Sequence, residues 1–251
     1  MLTEQRKRYL LALLAKEGRI VAKSAASDLD LSEDTIRRDL RELASEGKLQ
    51  RVHGGALPAS PAVGALLART LIVPSEKEAI GRCAAAMILP GQLVFIDGGT
   101  TALQLAKQLD RQLKATIVTH SPQVATALSD HAVDVHVIGG RLFKHSMVSV
   151  GATALLALKD FRPDVFFMGV TGIHPEAGLT TGDAEEAVMK RAIAEASGEL
   201  VVMASSEKLL AASSFVILDA NRANTVLVPD DTKEATVRQF TSLGIEVIHA
   251  R

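Results

Sequence analysis

From Ser75 onward the chain repeats one pattern: a short run of apolar residues, a loop rich in small or hydroxylated residues, then a helical stretch. The predicted strands are Leu93–Ile96, Thr116–Val118, Val133–Ile138, Val165–Met168, Leu200–Met203, Thr225–Val228 and Ile245–Ile248. The predicted helices are Ser75–Ile88, Ala102–Leu109, Pro122–Leu128, Ala184–Ala196 and Lys233–Leu243. Strands that are apolar without alternation are buried on both faces, and strands separated by helices pair in parallel. The pattern therefore predicts a C-terminal α/β domain built on a mostly parallel sheet. With 47% hydrophobic and 23% charged residues, the 251-residue chain is composed like an ordinary globular protein. No run approaches the roughly 18 apolar residues of a membrane span, so no membrane partner is expected. The charged start followed by LLALL and Lys16-Glu17 does not read as a signal peptide. With a single cysteine, Cys83, no internal disulfide forms, and a cytoplasmic location is expected.

The first 56 residues follow a different pattern. A helix is predicted over Glu4–Lys16 with Gly18 closing it, and a short second helix over Ser24–Leu29 with Ser24 as its cap. Ser32 caps a third helix, Glu33–Glu46, whose buried stripe is Ile36, Leu40 and Leu43. Lys48–Gly55 then reads as a strand and a Gly-Gly turn. This is the layout of a winged helix-turn-helix. Residues 57–74 contain three prolines and one charge, Arg69, and read as a linker packed in part through Leu66, Leu67 and Leu71. The expected domains are thus 1–56, 57–74 and 75–251.

Net charge is -1, so nothing global points to nucleic acid. The first 56 residues carry 11 Lys+Arg against 9 Asp+Glu, a slight local excess. Any DNA contact must be aimed by the fold. On the third helix, Thr35, Arg37, Arg38 and Arg41 lie away from the buried stripe. Arginine forks onto guanine or phosphate oxygens, and threonine meets a thymine methyl or a phosphate. Ser32 and Thr35 sit at the helix N-terminus, where backbone N–H groups attract phosphate. Asp34 and Glu42, each four residues from Arg38, are placed to hold it. Arg51 and His53 in the wing are candidates for a phosphate or the minor groove. The plain alternatives are a solvated charged helix face and an ordinary hairpin.

In the α/β region, Asp97-Gly98-Gly99-Thr100-Thr101 joins an apolar strand to a helix. Its backbone N–H groups and two hydroxyls make a candidate phosphate cradle at the carboxyl end of a strand. It lacks the spacing and lysine of nucleotide loops, so no cofactor is implied. The alternative is a tight turn with Asp97 capping backbone. Thr119-His120-Ser121, Gly139-Gly140, the Gly169 and Gly172 pair, and Gly178–Thr181 also sit at strand ends. Glu186 and Lys190 lie i,i+4 on the helix that follows, either as pocket residues or as a plain ion pair. Lys208 follows the strand ending at Met203. The seven histidines show no metal-ligand spacing, no metal site is assigned, and Cys83 reads as a core thiol.

TIRRDL at Thr35–Leu40 followed by RVHGGA at Arg51–Ala56 resembles the DeoR family of bacterial transcriptional regulators, and the resemblance runs over the whole chain. It implies that TIRRDL lies on the recognition helix of a winged helix-turn-helix. It implies a C-terminal domain with the fold of ribose-5-phosphate isomerase and its CoA-transferase relatives, sensing a phosphorylated sugar or related metabolite. By the resemblance, Asp97, Gly98, Gly99, Thr100, Thr101, Thr119, His120, Ser121, Gly139, Gly140, Glu186, Lys190 and Lys208 line the effector pocket. His120 stands where the family usually has Asn. Ser205 stands for the usual Asp, and Leu209-Leu210 for Phe-Gly. The implied function is a repressor of carbohydrate-catabolism genes, with operator DNA and a phosphorylated sugar as partners. A homodimer or homotetramer is expected, because one winged domain has a small footprint. One alternative is a sugar-phosphate isomerase-like enzyme with an appended DNA-binding domain, using Asp97 and Glu186 as acid and base. The other is a non-specific architectural DNA binder.

Overall fold

Both halves of the chain are organised by the apolar patterns described above. The computed structural model describes residues 2–63 and 66–251. The N-terminal part contains α1 (Thr3–Glu17), β1 (Ile20–Val21), α2 (Ala22–Asp28), α3 (Glu33–Ser45), β2 (Gln50–Val52) and β3 (Gly55–Leu57). Leu10, Leu14, Ala25, Ile36, Leu40, Leu43 and Leu49 form its core. Gly18, at φ 72°, ends α1 by donating its N–H to Leu14 O at 2.9 Å. At the start of α3 the Ser32 hydroxyl accepts from Thr35 N at 3.3 Å. Helix α2 begins two residues before Ser24. Its first residue, Ala22, donates to Gly54 O at 2.8 Å, so the wing turn takes the place of the expected serine cap.

The wing is an antiparallel sheet of order β1-β3-β2. The chain reverses at His53-Gly54, and Gly55 already lies in β3. A Cβ on Gly55 would stand 1.7 Å from the Ile20 carbonyl oxygen, so the passage of β1 requires glycine there.

The segment after the wing is held to the C-terminal part. Pro58 O accepts from Ala212 N at 3.2 Å, and the Ser60 hydroxyl donates to Thr171 O. A short helix α4 (Leu66–Thr70) follows. Leu66 is half-buried but Leu71 is 82% exposed, so Leu71 does not pack as expected. Leu67 lies outside the residues whose side chains are described.

The C-terminal part runs α5 (Pro74–Ala86), β4 (Leu93–Ile96), α6 (Thr100–Gln108), β5 (Thr116–Thr119), α7 (Pro122–Ala127) and β6 (Asp134–Val137). A hairpin of β7 (Arg141–Phe143) and β8 (Val148–Val150) precedes α8 (Ala152–Leu158) and β9 (Val165–Gly169). Next come β10 (Gly172–His174), β11 (Gly178–Thr181), α9 (Ala184–Ala196), β12 (Glu199–Met203) and β13 (Phe215–Leu218). The chain ends with β14 (Thr225–Pro229), α10 (Glu234–Thr241) and β15 (Glu246–Ala250). Seven strands form one parallel sheet of order β15-β14-β12-β9-β4-β5-β6.

Successive residues of the central strands feed two separate cores. Val94, Ile96, Ile117, Phe167 and Val201 pack beneath α5, α6 and α7 with Ile80, Leu105 and Val124. Phe95, Val118, Phe166, Met168 and Val202 pack on the other face with Ala154, Met189, Ile193 and Phe240. A smaller sheet, β10-β11-β13, stands beside α9. Cys83 on α5 is half-buried against the first of these cores, and burial pushes its thiol up. No helix of the described residues is long and apolar enough to cross a membrane.

Candidate functional site

On the N-terminal domain, Arg37, Arg38 and Arg41 are exposed on α3, and Arg51 and His53 are exposed on the wing. A cleft lined by Arg37, Leu40, Arg51 and His53 separates the helix from the wing, so these residues share one face. Ser32 and Thr35 hydroxyls lie 2.9 Å apart at the helix start. The ion pairs differ from expectation. Arg38 pairs with neither Asp34 nor Glu42; Glu42 is instead drawn to Lys7 of α1 at 2.9 Å. Arg37 pairs with Glu33 at 2.7 Å.

The Asp of TIRRDL has a role that the sequence reading missed. Asp39 is 1% exposed and accepts two bonds from the Arg6 guanidinium, one of them from Nη2 at 2.9 Å. It bolts α1 to α3 beneath the exposed arginines. The signal was present: Ile36, Asp39, Leu40 and Leu43 follow i, i+3, i+4, i+7, so Asp39 sits on the buried stripe.

In the C-terminal domain the chain leaves the central pair β4 and β9 in opposite directions, toward β5 and β6 on one flank and toward β12, β14 and β15 on the other. Such a switch point opens a crevice beyond the carboxyl ends of the two strands. Asp97 directly follows β4, and Gly169 ends β9.

Asp97 is fully buried. Its Oδ1 accepts from Gly98 N and His120 Nε2, both at 2.8 Å, and its Oδ2 accepts from Gly169 N at 2.8 Å and Lys190 Nζ at 2.7 Å. Burial disfavours the carboxylate, but Lys190 and His120 outweigh it and hold Asp97 well below the ordinary range. With four acceptor directions occupied, Asp97 organises the crevice and is not available to a ligand.

Lys190 is also enclosed. It donates to Asp97, to Gly169 O at 2.6 Å, and faces Glu186 Oε1 at 3.5 Å. Burial acts to lower its pKa, but Asp97 and Glu186 prevail and raise it. Glu186 in turn accepts from the Thr181 hydroxyl. Lys208 differs: it is 6% exposed, and among the described residues its ammonium makes one bond, from Nζ to the Thr101 hydroxyl at 3.2 Å. Burial pushes its pKa down to about 8. An ammonium has three donors, so two of them have no partner among the described residues.

The crevice is lined by Gly98, Gly99, Thr100 and Thr101, by Glu186, Lys190 and Lys208, and by Arg69, Ser146, Gly169, Val170 and Thr171. Gly98 is where backbone must approach closely, since a Cβ there would stand 2.2 Å from Val148 Cγ1. Gly99, at φ 92°, provides the turn into α6. Several expected pocket residues lie elsewhere. Asp97 and His120 are one layer behind the lining, where the ring also reaches Ser149 O at 3.1 Å. The Thr119 hydroxyl accepts from Ser121 N, and the Ser121 hydroxyl caps α7. Gly139 and Gly140 are exposed outside the crevice. Gly140 is pressed against Val150 O, which a Cβ would approach to 2.9 Å. Arg69, the lone charge of an apolar segment read as a linker, is the main addition.

The family model described as the DeoR C terminal sensor domain matches residues 73–230, and that of the DeoR-like helix-turn-helix domain matches residues 6–61. The chain belongs to the DeoR family. The HTH-type transcriptional regulator GlpR of Haloferax volcanii is 33% identical over 99% of this chain and 98% of that protein. The HTH-type transcriptional repressor GlcR of Bacillus subtilis is 28% identical over 99% of this chain and 96% of that protein. A solved ribose 5 phosphate isomerase A from Neisseria gonorrhoeae aligns at 16% identity and a TM-score of 0.40, covering 53% of this chain and 52% of that one. This DeoR-family protein is a DNA-binding transcriptional regulator.

Proposed function

We propose that this regulator represses carbohydrate-catabolism genes and is controlled by a phosphorylated sugar bound beyond the ends of β4 and β9. Lys208 carries the reading. It is a buried ammonium with two donors unoccupied among the described residues, set over the Gly98–Thr101 turn at the start of α6. A dianionic phosphate fits such a place, because charge-assisted bonds and a helix N-terminus both favour it. Residues 1–56 read the operator through Arg37, Arg38, Arg41, Arg51 and His53, with Ser32 and Thr35 near the backbone. Residues 75–251 sense the effector, and 57–74 join the two. A homodimer or homotetramer in the cytoplasm suits operator symmetry.

The isomerase-like alternative fares worse on chemistry. Its acid and base candidates are both engaged, Asp97 by four donors and Glu186 by Thr181 and Lys190. Thermal unfolding of the full chain against a panel of sugars and their phosphates tests the proposal. A ligand that binds only the native state raises the apparent stability. At least one phosphorylated sugar should raise Tm while its parent sugar does not. A panel with no such pair would overturn the assignment.

A further inference from the structure

Arg69 stands apart among the cations of the crevice. Lys190 is neutralised by Asp97 and Glu186. Arg69 has no carboxylate within ion-pair distance among the described residues. Its Nη2 donates to His145 O at 2.6 Å, in the turn that also brings Ser146 to the crevice. Its Nε is buried with no partner among the described residues. Burial acts to lower the pKa of this guanidinium, while Glu186 and Asp97 oppose it only through longer-range charge. A buried donor on a charged group is costly to leave unpaired.

We propose that Arg69 is a direct ligand of the effector's anionic group, taking an oxygen on its Nε–H opposite Lys208. The segment that joins the two domains is then one wall of the effector site. This rests on reading the crevice as an anion site and extends it to a residue that lies outside both matched family regions, 6–61 and 73–230. The wall is anchored on the same loop as Lys208. Buried Lys77 donates to the carbonyls of Arg69 and Ile72, both at 2.6 Å, and lies 3.6 Å from Glu207. An anion held between Arg69 and Lys208 closes this ring and tightens the chain leading to the DNA-reading domain. Arginine suits the task because its planar fork addresses tetrahedral oxyanions in a way an ammonium does not.

The test uses the full chain and inorganic phosphate, with sodium chloride at equal ionic strength as control. Affinity is read from the saturable rise of Tm in the wild type, Arg69→Met, Arg69→Lys and Lys208→Met. Susceptibility of residues 57–72 to a protease is read alongside. Phosphate should stabilise the wild type and slow cleavage of that segment. Arg69→Met should weaken phosphate at least tenfold and remove the protection. Arg69→Lys, which keeps the charge and most of the packing, should also weaken it and serves if the methionine variant folds poorly. If Lys208→Met loses phosphate while both Arg69 variants keep wild-type affinity, the proposal is overturned and the anion-site reading stands. If the wild type shows no saturable response, or all three variants bind as it does, both are overturned.

Discussion

Two aspartates, each in the motif that marks its domain, do the same work in opposite settings. Asp39 of TIRRDL and Asp97 of the DGGTT turn are both buried and both hold a cation in place. Around Asp39 the neighbouring cations are outside: Arg37, Arg38 and Arg41 lie on the exposed face of α3. Around Asp97 they are inside: Lys190 and Lys208 are buried within the crevice. A surface that reads DNA needs mobile, hydrated charges that can meet a long polyanion. A pocket that senses a small anion needs charges already desolvated and fixed, so that binding need not order them. In both motifs the aspartate is a buried fixture, and on the proposed function it is neighbouring side chains that meet the ligand.

The comparison breaks most readily at Asp97. Asp97→Asn leaves Lys190 buried beside a neutral amide, and removing one partner of a buried pair costs about 3–5 kcal/mol. Urea unfolding near pH 7 should show a loss of that size; a loss below about 1 kcal/mol would mean that the Lys190 charge is compensated elsewhere. Asp39→Asn should cost less, about 1.5–3 kcal/mol, because the Arg6 side chain is 11% exposed and can recover some water. Equal losses at the two sites would erase the distinction between an open and a sealed fixture.

Arg38→Ala should leave unfolding unchanged and weaken operator binding by about 1–3 kcal/mol if a base contact is lost. A uniform loss with a flatter salt dependence identifies a phosphate contact instead. Operator affinity equal to wild type would remove Arg38 from the reading face.

The pocket makes a prediction in pH. Below about 8 Lys208 is charged, and it loses its proton as pH rises past that value. A phosphate monoester is already dianionic there. Effector affinity should therefore fall up to about tenfold per pH unit above 8, since one proton must be taken up on binding. Unliganded stability should move the other way over the same interval, because the unfolded lysine holds more proton than the folded one up to about pH 10.4. Both slopes should vanish in Lys208→Met. A flat affinity profile from pH 7 to 9 in the wild type would show that Lys208 does not meet the anion.

The architecture was legible because it is written in periodicity. Six of the seven parallel strands are marked by largely apolar runs, β6 alternates apolar and polar residues and is largely exposed at the sheet edge, and α3 is marked by its stripe and its serine cap. The short antiparallel strands of the C-terminal part were not legible. The β7–β8 hairpin and β10 carry too few positions for a period to show, and Gly178–Thr181, read as a loop, pairs as β11. The site was legible as a neighbourhood but not as a set of contacts. Sequence places Asp97, His120 and Lys190 together without saying that they satisfy one another. Arg69 was hidden because an apolar, proline-containing segment reads as a tether, and the bond from its side chain to His145 spans 76 positions.

Operator binding measured with and without effector tests the account most directly. A DNA fragment selected by this protein from a random pool can be titrated by fluorescence anisotropy at fixed salt, with and without a sugar phosphate that raises Tm. The effector should change Kd by about 5–150-fold, a coupling of about 1–3 kcal/mol, and the change should disappear in Lys208→Met. An operator Kd that no phosphorylated sugar changes, or a change that survives in Lys208→Met, would contradict it.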